Sequence, residues 1–330
     1  MTGCTEGNPG PLIPTATGAG GGRYARAGKG VVLGFSLFAL VLLLSGCSVR
    51  QYAINRLGDA LAEGSSVYSS DDDPELVGAA LPFGLKTIEA LLAQSPHNRG
   101  LLLAAASGFT QYSYAFVQTE ADFSEDTDIT RALALRERAG RLYRRAMGYG
   151  IRGLEEVQPR LREMLSADPK SALAPFRKKD VPLLYWAAAA WGAAISLDKT
   201  NTELSAGLPR VEALMTRALE LDEGFDLGTI HDFFIAYEGG RPAAGGGSTE
   251  LARKHLARAL ELAGGRRAAP LVSFAETVDV GLQDRAEFEE LLNRALAIDI
   301  DAAPDQRLAN VMAQRRAKWL LGRMDRLFID

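Results

Sequence analysis

From Val49 onward the apolar positions recur at helical spacing, as in the stripe Leu214, Ala218 and Leu221, within blocks rich in Ala and Leu. Short clusters of Pro, Gly and Asp separate the blocks, and alternating runs of Val, Ile and Thr are nearly absent, so the pattern predicts an all-α chain. Helices are expected near residues 49–67, 75–94, 98–119, 128–149, 181–197, 207–222, 227–237, 249–263, 286–298 and 305–327. Most connections are a few residues long, which makes consecutive helices antiparallel neighbours. Asp71-Asp72-Asp73-Pro74 reads as a helix start, with a carboxylate capping free N–H groups and proline in the first turn. The same acids lack the glycine and distant glutamate of a calcium loop. Two longer interruptions, Ser166 to Lys179 and Glu238 to Gly247, read as surface loops of one domain spanning 47–330.

A helix ending recurs along the chain. It runs Leu214-Met215-Thr216-Arg217-Ala218-Leu219-Glu220-Leu221, again as Leu256-Ala257-Arg258-Ala259-Leu260-Glu261-Leu262, and again as Leu292-Asn293-Arg294-Ala295-Leu296, with a weaker copy at Tyr143-Arg144-Arg145-Ala146-Met147. Arg145, Arg217, Arg258 and Arg294 stand 72, 41 and 36 residues apart, near one or two units of the 34-residue tetratricopeptide period. The alanine in each copy lets a neighbouring helix approach closely. The expected architecture is therefore antiparallel helix hairpins in a divergent tetratricopeptide-like superhelical bundle; the full consensus is absent.

The first fifty residues differ in kind. Residues 1–22 carry almost no charge and no apolar period, and read as an over-long leader. Arg23, Arg26 and Lys29 then precede an uninterrupted run of apolar and small residues from Val31 to Leu44, followed by Leu44-Ser45-Gly46-Cys47. Fourteen residues reach about 21 Å as a helix, short of the ~30 Å hydrocarbon layer. The segment reads as a secretory signal over 1–46 with a lipobox, leaving Cys47 as an acylated N-terminus. Acyl chains gain ~0.8 kcal/mol per buried methylene, enough for permanent membrane attachment. The expected location is the periplasm; Ser48 after the cysteine favours the outer over the inner membrane.

Composition narrows the chemistry. With 37 Lys and Arg against 41 Asp and Glu, no basic excess exists for nucleic acid, and removing residues 1–46 leaves the remainder more acidic still. The two cysteines, Cys4 and Cys47, supply neither a structural disulfide nor a thiolate metal site for the body of the chain. His97, His231 and His255 show no zinc-helix spacing, and neither a nucleophile elbow nor a phosphate loop nor a dinucleotide fingerprint is present, so no cofactor and no catalytic role is expected. Glu276, between apolar residues, is the one candidate general acid for a glycan-processing alternative; an ordinary surface carboxylate is the plainer reading.

Aromatic residues offer a second set of candidates. Phe109, Tyr112 and Phe116 share one helical face with Tyr114 on another, and Tyr185, Trp186 and Trp191 bracket an alanine run. Two readings stand, core packing and the lining of a concave groove. The candidate groove residues are Tyr112, Tyr185, Trp186, His231, Tyr237, Glu276, Asn310 and Gln314, of which His231 also reads as a hydrogen-bonded core histidine. The run Gln314-Arg315-Arg316-Ala317-Lys318, with Arg323 and Arg326, reads as a solvated face or a docking patch.

Several segments in order resemble the TatT family, the lipid-anchored T component associated with tripartite ATP-independent periplasmic (TRAP) transporters. They are Ser70-Asp71-Asp72-Asp73-Pro74-Glu75-Leu76-Val77 with Ala80-Leu81-Pro82-Phe83 and Leu85-Lys86, then Gly108-Phe109-Thr110-Gln111-Tyr112-Ser113-Tyr114-Ala115-Phe116-Val117. His231-Asp232-Phe233-Phe234 with Tyr237-Glu238, Gly246-Gly247-Ser248, and Arg307-Leu308-Ala309-Asn310 with Ala313-Gln314 complete the set. The resemblance implies an all-helical protein that forms trimers, has a cleft or pore through each subunit, holds a small organic or hydrophobic solute, and docks a periplasmic solute-binding protein. A general scaffold of envelope assembly is the competing class.

Overall fold

The computed structural model describes residues 66–329, and every regular element among them is helical. The predicted signal, Cys47 and the helix expected at 49–67 lie outside these residues, save for a short turn of helix at Ser66–Ser69. The main helices are α1 (Pro74–Gln94), α2 (Arg99–Tyr112), α3 (Thr119–Ser124), α4 (Ile129–Glu155), α5 (Val181–Leu197) and α6 (Leu208–Leu221). They continue with α7 (Thr229–Gly239), α8 (Thr249–Ala263), α9 (Ala269–Phe274), α10 (Arg285–Leu296) and α11 (Arg307–Leu321).

Local chemistry sets the starts. Asp73 accepts from the Leu76 N–H at 2.9 Å, Asn98 from Leu101 at 2.7 Å, Asp128 from Arg131 at 2.9 Å and Asp284 from Glu287 at 3.0 Å. Each satisfies an N–H that the first helical turn leaves free. α8 stops at Gly264, whose φ of 56° suits a residue without Cβ.

Two stretches depart from the predicted helix map. Leu161–Ala167 and Pro169–Leu173 form short helices reaching into the expected loop at 166–179. Ala269–Leu282 is helical where none was expected. Its residues Leu271, Val272, Phe274, Ala275 and Val278 are all buried, so it is apolar on more than one side and carries no clean amphipathic stripe for sequence to reveal.

Three apolar clusters fill the body. One joins α1, α2, α4 and α5; one joins α4, α5, α6 and α7; the third joins α7 through α11. The alanines of the recurring helix ending, Ala146, Ala218, Ala259 and Ala295, are all 0% exposed, as close helix approach requires. Gly150 serves the same end at the α4–α5 contact, where an added Cβ would stand 2.7 Å from that of Ala187.

Neighbouring helices touch in succession from α1 to α11, and α11 in turn touches α1 and the Ser66–Ser69 turn. The array therefore closes on itself. α1 is covered only in part: Leu76 and Phe83 stand in solvent along it.

Candidate functional site

The closure is built by α11 and the residues after it. Arg315 donates from both Nη atoms to Glu75 at 2.7 and 3.1 Å, and Arg307 donates to the Ser70 carbonyl at 3.0 Å. Arg316 binds Asp122 at 3.0 Å and also pairs with Glu276, while Arg323 and Arg326 both pair with Asp126. Trp319 packs on Phe123 with ring centroids 5.3 Å apart, and the guanidiniums of Arg316 and Arg323 cover it at 4.3 and 4.4 Å. The basic run expected to be a solvated face is thus corrected: four of its arginines clasp the chain's own acids across the seam, while Lys318 remains exposed. Nothing local encodes this, since Arg316 and Asp122 lie 194 residues apart.

Arg316 is the centre of the clasp, with 12% of its side chain exposed. Burial opposes its charge, but the Glu276 carboxylate, with Tyr114 and Asp122 adding to it, more than offsets that and raises the guanidinium pKa. Glu276 lies on a π-helical turn, Ala275–Asp279, and a second such turn, Ser113–Gln118, carries Tyr114. Such turns widen the helix and re-aim side chains, and they occur often at functional sites. Tyr114 combines two properties: 52% of its surface is open, and its phenol pKa is raised, chiefly by desolvation and then by Glu276, with Asp122 and Asp232 adding to it. Deeper in, Arg267 pairs with Asp232 and donates to Thr229 Oγ1 at 3.2 Å, and that hydroxyl bonds the Tyr185 hydroxyl at 3.1 Å. Burial pushes the Tyr185 phenol up to about 12.

On the outer side of the seam lies a cleft of about 320 Å³ between α1, the Ser113–Gln118 turn, α3 and α11. Tyr112, Ala115, Phe116, Phe123 and Met312 supply its apolar wall. Glu75, Glu120 and Arg315 supply its charge. Gly78 forms part of the wall because a Cβ there would come within 2.8 Å of the Phe116 ring.

Of the residues singled out by sequence, Tyr112 borders this cleft, and its hydroxyl accepts from Arg138 at 3.2 Å. Tyr185 and Glu276 belong to the inner polar network just described. Trp186 packs edge-on against Tyr185 at 4.9 Å. His231 is 4% exposed, with its Nδ1 2.8 Å from Nδ1 of His255 and its Nε2 3.4 Å from Glu223. Tyr237 donates to Glu212 at 2.8 Å and lies under the Arg241 guanidinium, 3.6 Å from its ring centroid.

Asn310 and Gln314 act as joints and lie away from the outer cleft. Asn310 accepts from the Ala268 N–H at 2.9 Å and donates to the Arg266 carbonyl at 2.8 Å. Gln314 donates to the carbonyls of Ala295, Leu296 and Ile298, satisfying the end of α10. Glu276, bound at both oxygens by Arg316, is arranged as an ion-pair partner and not as a proton donor to a glycan. Sequence reading passed over Asp122 and Arg267 and gave Glu75, Asp232 and His255 no place in a site, because each acts through a partner distant in the chain.

Residues 70–328 match the family model described as the TRAP transporter T-component. The chain belongs to that family. It is also 30% identical over 311 residues to a protein of Treponema pallidum (strain Nichols) described as uncharacterized, an alignment covering 89% of this chain and 96% of that protein. The T-component match takes in the whole seam, from Ser70 under Arg307 to Arg326 on Asp126.

Proposed function

We propose that this T-component family member is a periplasmic lipoprotein, held on a membrane by acyl chains on Cys47, that docks the solute-binding protein of a TRAP transporter and holds solute in its cleft. The family match over residues 70–328 carries the reading. The lipobox Leu44-Ser45-Gly46-Cys47 behind a basic and apolar leader supports the anchor. The buried alanines of the recurring helix ending support a tetratricopeptide-like superhelix, an architecture that presents long concave surfaces to partners. The exposed apolar stripe of α1, with Leu76 at 59% and Phe83 at 80% exposure, supports a role in protein contact, because isolated soluble chains seldom leave such a stripe uncovered. A binding module of this kind needs no catalytic group, and homotrimers would present several docking faces at one membrane site.

The test is a pull-down of tagged, lipidated protein from detergent-solubilised membranes, with co-eluting proteins identified by mass spectrometry. Recovery of a periplasmic solute-binding protein together with TRAP membrane subunits is expected. Recovery of outer-membrane assembly or cell-wall proteins in their place would overturn the transport role and move the protein to scaffolding.

A further inference from the structure

The outer cleft has a definite chemistry. At about 320 Å³ it lies at the small end of ligand-binding cavities, fit for a compact molecule and too small for a peptide or a lipid. Three aromatic rings border it, those of Tyr112, Phe116 and Phe123. Tyr112 and Phe116 pack on each other with centroids 5.8 Å apart and planes inclined by 34°, so they form one continuous aromatic wall, and Met312 adds a polarizable thioether. The Tyr112 hydroxyl is held by Arg138, which fixes the ring.

The charges break the symmetry between anion and cation. Arg315 is the one basic residue bordering the cleft, and both its Nη atoms are spent on Glu75. That pairing holds the Glu75 carboxyl below its ordinary range, so it stays ionised at neutral pH. Glu120 adds a second carboxylate, 47% exposed and paired at 2.9 Å with Arg131, which stands outside the lining. The lining residues are thus two carboxylates and one guanidinium, and that guanidinium is already occupied. An organic anion entering it would face Glu120 and would have to break the Glu75–Arg315 pair to find a donor. An organic cation meets aromatic faces, whose quadrupoles attract it, under an acidic rim.

We propose that this cleft binds a small organic cation with an apolar shell, a quaternary ammonium such as choline or tetramethylammonium, seated against the wall of Tyr112, Phe116 and Phe123 with Glu75 and Glu120 at the rim. The inference deepens the transport reading by naming a solute class and rests on it only for the solute's onward route, because the binding is a property of this chain alone.

The experiment is calorimetric titration of the full lipidated protein in a maltoside detergent with choline, its uncharged isostere 3,3-dimethylbutanol, and succinate. Tryptophan fluorescence, to which Trp319 packed on Phe123 contributes, gives a parallel signal. Saturable choline binding is expected, with the isostere at least about tenfold weaker. Phe116→Leu should weaken choline by about tenfold. Glu120→Gln, on an exposed rim position where folding is not at stake, should weaken choline several-fold and leave the isostere unchanged. Equal binding of choline and the isostere, preference for succinate, or no saturation by choline up to about 10 mM would each overturn the proposal. Choline binding by a protein that recovers no transporter subunits would refute the transport role and keep the site. Recovery of those subunits without choline binding would remove the solute class alone.

Discussion

Replacing Arg316 by Ala isolates what holds the array shut. The side chain is 12% exposed and bridges Asp122, on the α3 side of the seam, to Glu276, on the π-helical turn after α9. Removing one member of a buried ion cluster costs about 3–5 kcal/mol, because the partners left behind stay desolvated. Two features place this case at the lower end. Glu276 is 32% exposed, so water recovers part of its solvation, and Asp122 keeps Arg136 at 3.2 Å. The lost stacking of the guanidinium on Trp319 at 4.3 Å adds about 0.5–1 kcal/mol. The expected total is a loss of about 3–4 kcal/mol of unfolding free energy. Arg326→Ala is the internal control: it also removes a contact to Asp126, but Arg326 is 63% exposed and the change should cost under about 1 kcal/mol. Adding Glu276→Leu to Arg316→Ala should return about 1–2 kcal/mol, since the second change removes a carboxylate left without its cation. Urea unfolding followed by circular dichroism and by tryptophan fluorescence measures all four proteins. An Arg316→Ala loss within about 0.5 kcal/mol of the Arg326→Ala loss would refute the argument that a buried clasp, and not surface ion pairing, closes the seam.

Other consequences follow from the same geometry. Desolvation lowers the pKa of His231 and, with the charge of His231, takes that of His255 down to about 4, so the pair adds stability while neutral. That stability is fully present above the unfolded value of about 6.5 and is lost as pH falls from there toward 4. Thermal unfolding of His255→Phe, which keeps the stacking on Phe234, should show a shallower loss between pH 6.5 and 4.5 than the parent, and equal slopes would contradict the assignment. Asp279 has the opposite sign: burial, with Glu287 and Asp284 nearby, raises its carboxyl to about 7, and neither of its oxygens has a hydrogen-bond donor. Ionising it costs stability as pH rises from about 4 to 7, so Asp279→Asn should raise the melting temperature at pH 8 and change it little at pH 4. Gly150→Ala pushes a methyl against the Cα of Ala187 at 2.8 Å and should cost about 1–3 kcal/mol, whereas Gly148→Ala, on the same helix with open space around it, should gain about 0.5–1 kcal/mol; urea midpoints moving in the same direction would refute the contrast.

What the sequence determined is whatever local periodicity encodes. Ala-Leu blocks with acidic or amide caps specify helices wherever one face is polar, and the recurring Arg-Ala pair marks where helices approach, since each of its alanines is fully buried. The same logic failed at Ala269–Leu282, where burial on several sides erases the stripe. Family membership was legible because it rests on ordered segments and not on contacts. Tertiary structure alone decided the partners. A cluster such as Arg316 with Asp122 and Glu276 joins residues 194 and 40 positions apart, and no local pattern distinguishes an arginine facing water from one facing an acid across a seam. The cleft is of the same kind: Tyr112, Glu75 and Arg315 acquire a common chemistry only when the last helix folds back on the first. Helix formation is a short-range balance of propensity, capping and amphipathicity, while the pairing of charges depends on where long-range packing brings them.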